Sequence, residues 1–130
     1  MPSLIIHPDA EDDLQRLWRL DRWAGSRLLA ILQELENDED LLDRLSQNYF
    51  HRSPPGQIDV QYWVAVRNSG RNIFRLKVWD ANNSLLPYRV IYAYKPENDE
   101  YHILAIAPRE WNYDLEHKLS KRIFAAHDEL

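Results

Sequence analysis

The sequence contains no cysteine. That excludes a disulfide framework and any metal site built on thiolates, and it fits a reducing compartment. No apolar stretch is long enough to cross a bilayer. The start, Met1 to Asp9, has no basic segment followed by a long apolar run, so no signal peptide is expected and the cytoplasm is the expected location. Internal repeats, low-complexity segments and linkers are missing too. A chain of 130 residues then reads as one domain, residues 1–130, with a core of useful size. Positive charge is scarce: the net charge is -5, which argues against a polyanionic partner.

The scarcity is local, however. From Met1 to Asn48 acids far outnumber bases. From Arg67 to Arg89 the bases are Arg67, Arg71, Arg75, Lys77 and Arg89, and the only acid is Asp80. A local field of this kind can attract phosphate to a molecule that is negative overall. Phe74-Arg75-Leu76-Lys77-Val78-Trp79 alternates apolar and basic residues. In a strand, Phe74, Leu76 and Val78 face a core while Arg75 and Lys77 project together from the other face. A second apolar run, Tyr88 to Lys95, carries Arg89 near its start. A third, Tyr101 to Ala107, leads into Pro108, Arg109 and Glu110, with Tyr113 just beyond. Basic residues delivered by neighbouring strands suit a phosphate, for which Arg offers a planar fork and Lys a compact charge.

The rest of the chain supplies a frame for these strands. Leu4 to Ile6 is a short first strand. Pro8 and Asp9 open a helix, with acids in the first turn to match its dipole. Ala10, Leu14, Leu17 and Trp18 keep helical spacing, and the pattern resets near Ala24 and Gly25 into a second stripe, Leu28, Ile31, Leu32 and Leu35. Trp18 and Trp23 are expected in the core. Leu41, Leu42 and Leu45 form a short third helical piece. The loop His51 to Gly56 precedes a strand over Ile58 to Val66, and Asn68-Ser69-Gly70 turns it back into the basic strand as a hairpin. Leu115, Leu119, Ile123 and Ala126 define a C-terminal helix.

This order of elements resembles the RelE/ParE superfamily of bacterial type II toxins. The resemblance rests on Phe74-Arg75-Leu76-Lys77, on the strand Tyr88-Arg89-Val90-Ile91-Tyr92, and on Ile106-Ala107-Pro108-Arg109-Glu110 followed by Tyr113, with Pro8-Asp9-Ala10 opening the first helix. It departs in the strand from Ile58 to Val66, which looks like an insertion, and in its acidic charge. The resemblance implies an α+β fold: an antiparallel sheet packed against an N-terminal helical hairpin, with a C-terminal helix. RelE-like members cut mRNA on the ribosome, ParE-like members poison DNA gyrase, and a third possibility is an inactive member that only binds its antitoxin. The positional match of Arg75, Lys77, Arg89, Arg109 and Tyr113 favours a metal-independent endoribonuclease with no cofactor. The implied partners are a cognate antitoxin, the ribosome and mRNA, and a DNA-bound complex formed through the antitoxin.

Metal-free RNA cleavage uses the 2′-hydroxyl as nucleophile. It needs a base for that hydroxyl, cations for charge growing on the phosphoryl oxygens, and an acid for the leaving oxygen. Arg89 is the expected clamp, Arg109 stands near the leaving oxygen, and Lys77 and Tyr113 are candidate bases. Arg71, Trp79, Tyr88 and Trp111 are expected to touch RNA, the aromatic residues by stacking. Each residue has a plainer reading. Arg75 and Lys77 also fit the wet face of a strand, Arg89 fits a structural pair with Glu110 or Asp80, and Tyr113 fits an anchor for the last helix. The five histidines, at 7, 51, 102, 117 and 127, show no helical metal spacing. His7 and His51 remain open as outlying ligands, and His117 is an alternative general acid.

Overall fold

The computed structural model describes residues 2–51 and 57–130. The expected loop beyond His51, Arg52 to Gly56, lies outside the described residues. Strand β1 spans Ser3–Ile6, and helices α1 (Pro8–Leu20), α2 (Arg22–Asn37) and α3 (Glu39–Asp43) follow. Then come β2 (Tyr49–His51), β3 (Ile58–Tyr62), a short helix α4 (Val64–Arg67), β4 (Ile73–Trp79), β5 (Leu85–Lys95), β6 (Glu100–Pro108) and α5 (Lys118–Asp128). The six strands form one mixed sheet in the order β1-β6-β5-β4-β3-β2. Only β1 runs parallel to its neighbour, β6; the other pairs are antiparallel.

Alternation along the strands divides the sheet into two faces. Phe74, Leu76 and Val78 of β4 and Val90 and Tyr92 of β5 pack beneath the hairpin of α1 and α2, with Leu14, Leu17, Leu28, Ile31, Leu32 and Leu35 above them. The opposite face carries Ile73, Ile91, Ala93, Ala105 and Ala107, covered by Trp63, Trp111 and the Ile123 and Ala126 stripe of α5. Small residues on β6 let α5 lie close.

Several boundaries differ from the sequence pattern. The helical reset falls at Asp21 and not at Gly25. The Asp21 backbone N–H closes α1 on the Leu17 carbonyl, and its carboxylate accepts the Ala24 N–H at 3.1 Å to start α2. Gly25 lies inside α2, where the helices touch: a Cβ there would stand 3.1 Å from the Trp18 Cα. Trp18 and Trp23 are not in the core; they are 40% and 65% exposed. The strand over Ile58 to Val66 stops at Tyr62, because Trp63 and Val66 both turn onto the α5 face. That is helical and not alternating spacing, and Trp63 stacks on Phe124 with centroids 5.4 Å apart. The tight hairpin is therefore a longer excursion closed at Gly70, whose φ of 85° suits glycine. Leu115 precedes α5 and is exposed; the helix begins after His117, whose Nδ1 accepts the Leu119 N–H.

Two polar devices fix the layers. Tyr62, Tyr92 and Tyr101 donate their hydroxyls to the carbonyls of Ser46, Leu45 and Asp43, which satisfies the end of α3 and the 3-10 turn Arg44–Ser46. Burial raises the Tyr92 phenol well above its usual range and pushes Tyr101 up to about 12, so both remain donors. The second device is the buried Asp13. Beyond Ile103, β6 has lost its β1 partner, and the Ile106 N–H donates to Asp13 Oδ2 at 3.0 Å. The same carboxylate takes both Nη groups of Arg122 from α5, and Arg16 at 3.0 Å. Replacing Asp13 by Ala leaves the buried Ile106 N–H without an acceptor and Arg122 with only Asp9, 3.8 Å from its Nε. The expected loss is about 3 kcal/mol, whereas Arg16→Ala, at an exposed partner, costs under about 1 kcal/mol. Urea unfolding of the two variants checks the order; equal losses would contradict it.

Candidate cationic site

The sheet register brings the basic residues together. Lys77 on β4 pairs with Arg89 on β5, and Arg89 pairs with Ala107 near the end of β6. Paired residues share a face, so Lys77 and Arg89 stand side by side on the face away from the helical hairpin. Beyond Pro108 the chain makes a 3-10 turn, Arg109–Trp111, and then two consecutive left-handed residues, Asn112 at φ 50° and Tyr113 at φ 59°. Such backbone is costly for residues other than glycine. Here it folds the segment back over the strand ends.

The result is a cavity of about 310 Å³ lined by Lys77, Leu85, Arg89, Pro108, Arg109, Trp111, Asn112 and Tyr113. No carboxylate lines it among the described residues. Arg89 is 6% exposed, and its Nη1 donates to the carbonyls of Leu86 at 3.0 Å and Tyr88 at 3.2 Å. The expected alternative pairing with Glu110 or Asp80 does not occur. Asp80 instead accepts the N–H groups of Asn82 and Ser84 in its own turn. Lys77, Arg89 and Arg109 make no ion pair among the described residues. Burial, then the charges of Arg75 and Arg89, holds the Lys77 amine below its ordinary value; Asp59 opposes this and Arg109 adds to it. The folded chain therefore binds fewer protons at Lys77 than the unfolded chain. Stability rises with pH between the folded and unfolded pKa values, so below that window the charged Lys77 weakens the fold.

Tyr113 lines the cavity beside Trp111, with ring centroids 5.0 Å apart. Its hydroxyl is shielded from solvent and has no hydrogen-bond partner among the described residues. The other anticipated residues are placed differently. Arg75 is 8% exposed and bonds Asp59 at 3.0 Å, so it faces β3 and reaches the cavity only through its field on Lys77. Arg71 pairs with Asp128 at 2.9 Å and lies over the Phe124 ring, which ties the start of β4 to α5. Tyr88 alternates with Arg89 and packs on the helical-hairpin core. Trp111 is 3% exposed and its indole N–H donates to Ser120 at 2.8 Å, so it serves as floor rather than as a stacking surface. Trp79 remains partly exposed at the cavity's flank, paired with Leu85. His117 caps α5 and lines a different cavity, across Pro108; His7 caps α1 in the same way.

The sequence pattern missed Leu85, Asn112 and Asp59. Asp59 was legible in principle, since it falls on the Lys77 face of any strand running from Ile58. Asn112 carries no periodic signal.

The cavity suits an oxyanion, with two free cations and one buried guanidinium converging on one space. The residues that build it lie wholly within a wider match. A family model described as the ParE toxin of the type II toxin-antitoxin system, parDE, covers residues 4–113. No curated protein and no solved structure matches the chain. The mixed sheet, the hairpin and the C-terminal helix agree with that family's fold, and a type II system implies an antitoxin as partner. The chain belongs to the ParE toxin family of type II toxin-antitoxin systems, within the RelE/ParE superfamily.

Proposed function

We propose that this toxin cleaves mRNA on the ribosome, without a metal ion, in the cavity between Lys77, Arg89, Arg109 and Tyr113. The observation that carries the reading is the convergence of unpaired cations on one cavity at a cost to the fold. A solvated strand face would pair or separate them. Arg89, anchored on two carbonyls, presents its remaining donors to a phosphate. Lys77, held below the ordinary lysine range, takes the proton of the 2′-hydroxyl as that oxygen attacks phosphorus. The bond to the 5′-oxygen breaks as Arg109 stabilises charge on the leaving oxygen, and the Tyr113 hydroxyl, shielded in the free protein, turns into the filled cavity and gives that oxygen its proton. The products are a 2′,3′-cyclic phosphate and a 5′-hydroxyl. Arg75 is a positioning residue, since it offsets the charge of Asp59 and helps depress the Lys77 pKa. The ribosome orients the mRNA.

A second reading has its own observation. Trp18 and Trp23 on the helical hairpin are exposed, and a cleft of about 300 Å³ lined by Leu14, Trp18, Gly25 and Leu29 lies between α1 and α2. That surface, on the helical-hairpin side of the sheet, fits a binding activity such as gyrase inhibition. Arrest of DNA synthesis that survives loss of Arg89 would favour it.

Arg89→Ala is expected to abolish toxicity and to lower cleavage at least about 100-fold, the scale of one lost transition-state donor. Circular dichroism and retained antitoxin binding would establish that the variant is folded. A folded Arg89→Ala protein of full toxicity would overturn the nuclease. A second prediction concerns pH. A lysine base must be neutral, so the single-turnover rate climbs with pH up to the Lys77 pKa, which lies below the ordinary 10.5. Lys77→Arg keeps the charge, flattens the profile and loses about 10²- to 10⁴-fold in rate; a wild-type profile in that variant would contradict the assignment.

A further inference from the structure

The same sheet face continues past the cavity. The register aligns Phe50 on β2 with Asp59, Lys77 and Arg89 in one cross-strand row. Phe50 is 43% exposed, and its ring meets Trp79 edge to face at a centroid distance of 6.2 Å. Trp79 in turn pairs with Leu85, a wall of the cavity. Two strand spacings separate the Phe50 and Lys77 backbones, about 10 Å. The one carboxylate in the row, Asp59, is held by Arg75 at 3.0 Å, so its charge does not repel a phosphodiester passing over it.

We infer that Phe50 and Trp79 form a stacking platform for the base of the nucleotide next to the cleaved phosphate. The inference rests on the nuclease reading and adds a base-binding subsite to it. An aromatic pair, Phe50 on the edge strand β2 and Trp79 on β4, partly exposed and continuous with a phosphate cavity, is what single-stranded RNA readers present to an unstacked base. Trp111 and Tyr88 are unsuited to that task, one as cavity floor and the other on the far face. Stacking tolerates every base but grows with ring area, so the platform favours a purine at this position. It also orients the strand, so that the 2′-hydroxyl beside Lys77 lies in line with the leaving oxygen. Phe50 is a binding and positioning residue and takes no part in proton transfer.

The test is ribosome-dependent cleavage of an mRNA series differing only in the base beside the cut, with ends mapped by primer extension. Wild type is expected to cut faster beside purines. Phe50→Leu, which keeps apolar bulk but removes the ring, is expected to lose about 5- to 150-fold, the range of one base–aromatic stack. The loss should appear in KM and in the purine preference, with the pH profile unchanged, and Phe50→Trp should restore both. Wild-type cleavage that Phe50→Leu matches in rate and base preference would overturn the platform and leave the nuclease standing. A wild-type protein that cuts none of the series would overturn both.

Discussion

The Asp13 carboxylate is the contact on which the placement of the cavity depends. It sits in α1, on one side of the sheet, and reaches Arg122 of α5, which packs on the other. Between them it satisfies the backbone of β6 at Ile106, where pairing with β1 has ended. Two residues further on, β6 ends at Pro108 and the chain turns into Arg109, Asn112 and Tyr113. A strand end with an open backbone N–H would fray. Anchored by a charge-assisted bond, it holds the one irregular wall of the cavity in register with Lys77 and Arg89.

That wall faces a cluster of like charges that the fold does not neutralise. Arg71 and Arg122 are paired with carboxylates, and Arg75 is cancelled by Asp59. Each of these links structural elements. Among the described residues Lys77, Arg89 and Arg109 are left over, next to a backbone held in left-handed conformations and a tyrosine hydroxyl without a partner. Repulsion, strain and an unmade hydrogen bond coincide at one place. A ligand carrying negative charge and acceptor oxygens offsets the repulsion and supplies hydrogen-bond acceptors. The negative charge sits elsewhere, chiefly between Met1 and Asn48, where acids far outnumber bases.

Much of this was legible in the sequence, for identifiable reasons. Alternation in Phe74 to Trp79 gave the faces of β4, because pleating leaves no other choice, while the pairing of Lys77 with Arg89 comes from the sheet register, which alternation alone does not set. Helical stripes located α1, α2 and the core. What misled was aromatic size. Trp18 and Trp23 look like core residues, but Trp18 lies along the outer cleft between α1 and α2 against Gly25, and Trp23 opens toward Asp80 and Ala81, so both rings keep solvent contact. Trp63 broke an apparently clean strand because three aromatic rings needed cover over α5. Arg75 and Arg71 were indistinguishable from site residues until their partners, Asp59 and Asp128, came into contact with them through the fold. Asn112 and Tyr113 owe their placing to backbone torsion, which residue spacing does not encode.

Whether the cation cavity acts on mRNA is read from pulse labelling after induced expression in bacteria. Methionine and thymidine incorporation are followed over the first minutes. A ribosomal nuclease stops methionine incorporation first and thymidine incorporation later. Arrest of thymidine incorporation ahead of methionine would contradict it and move the active surface to the exposed helical hairpin.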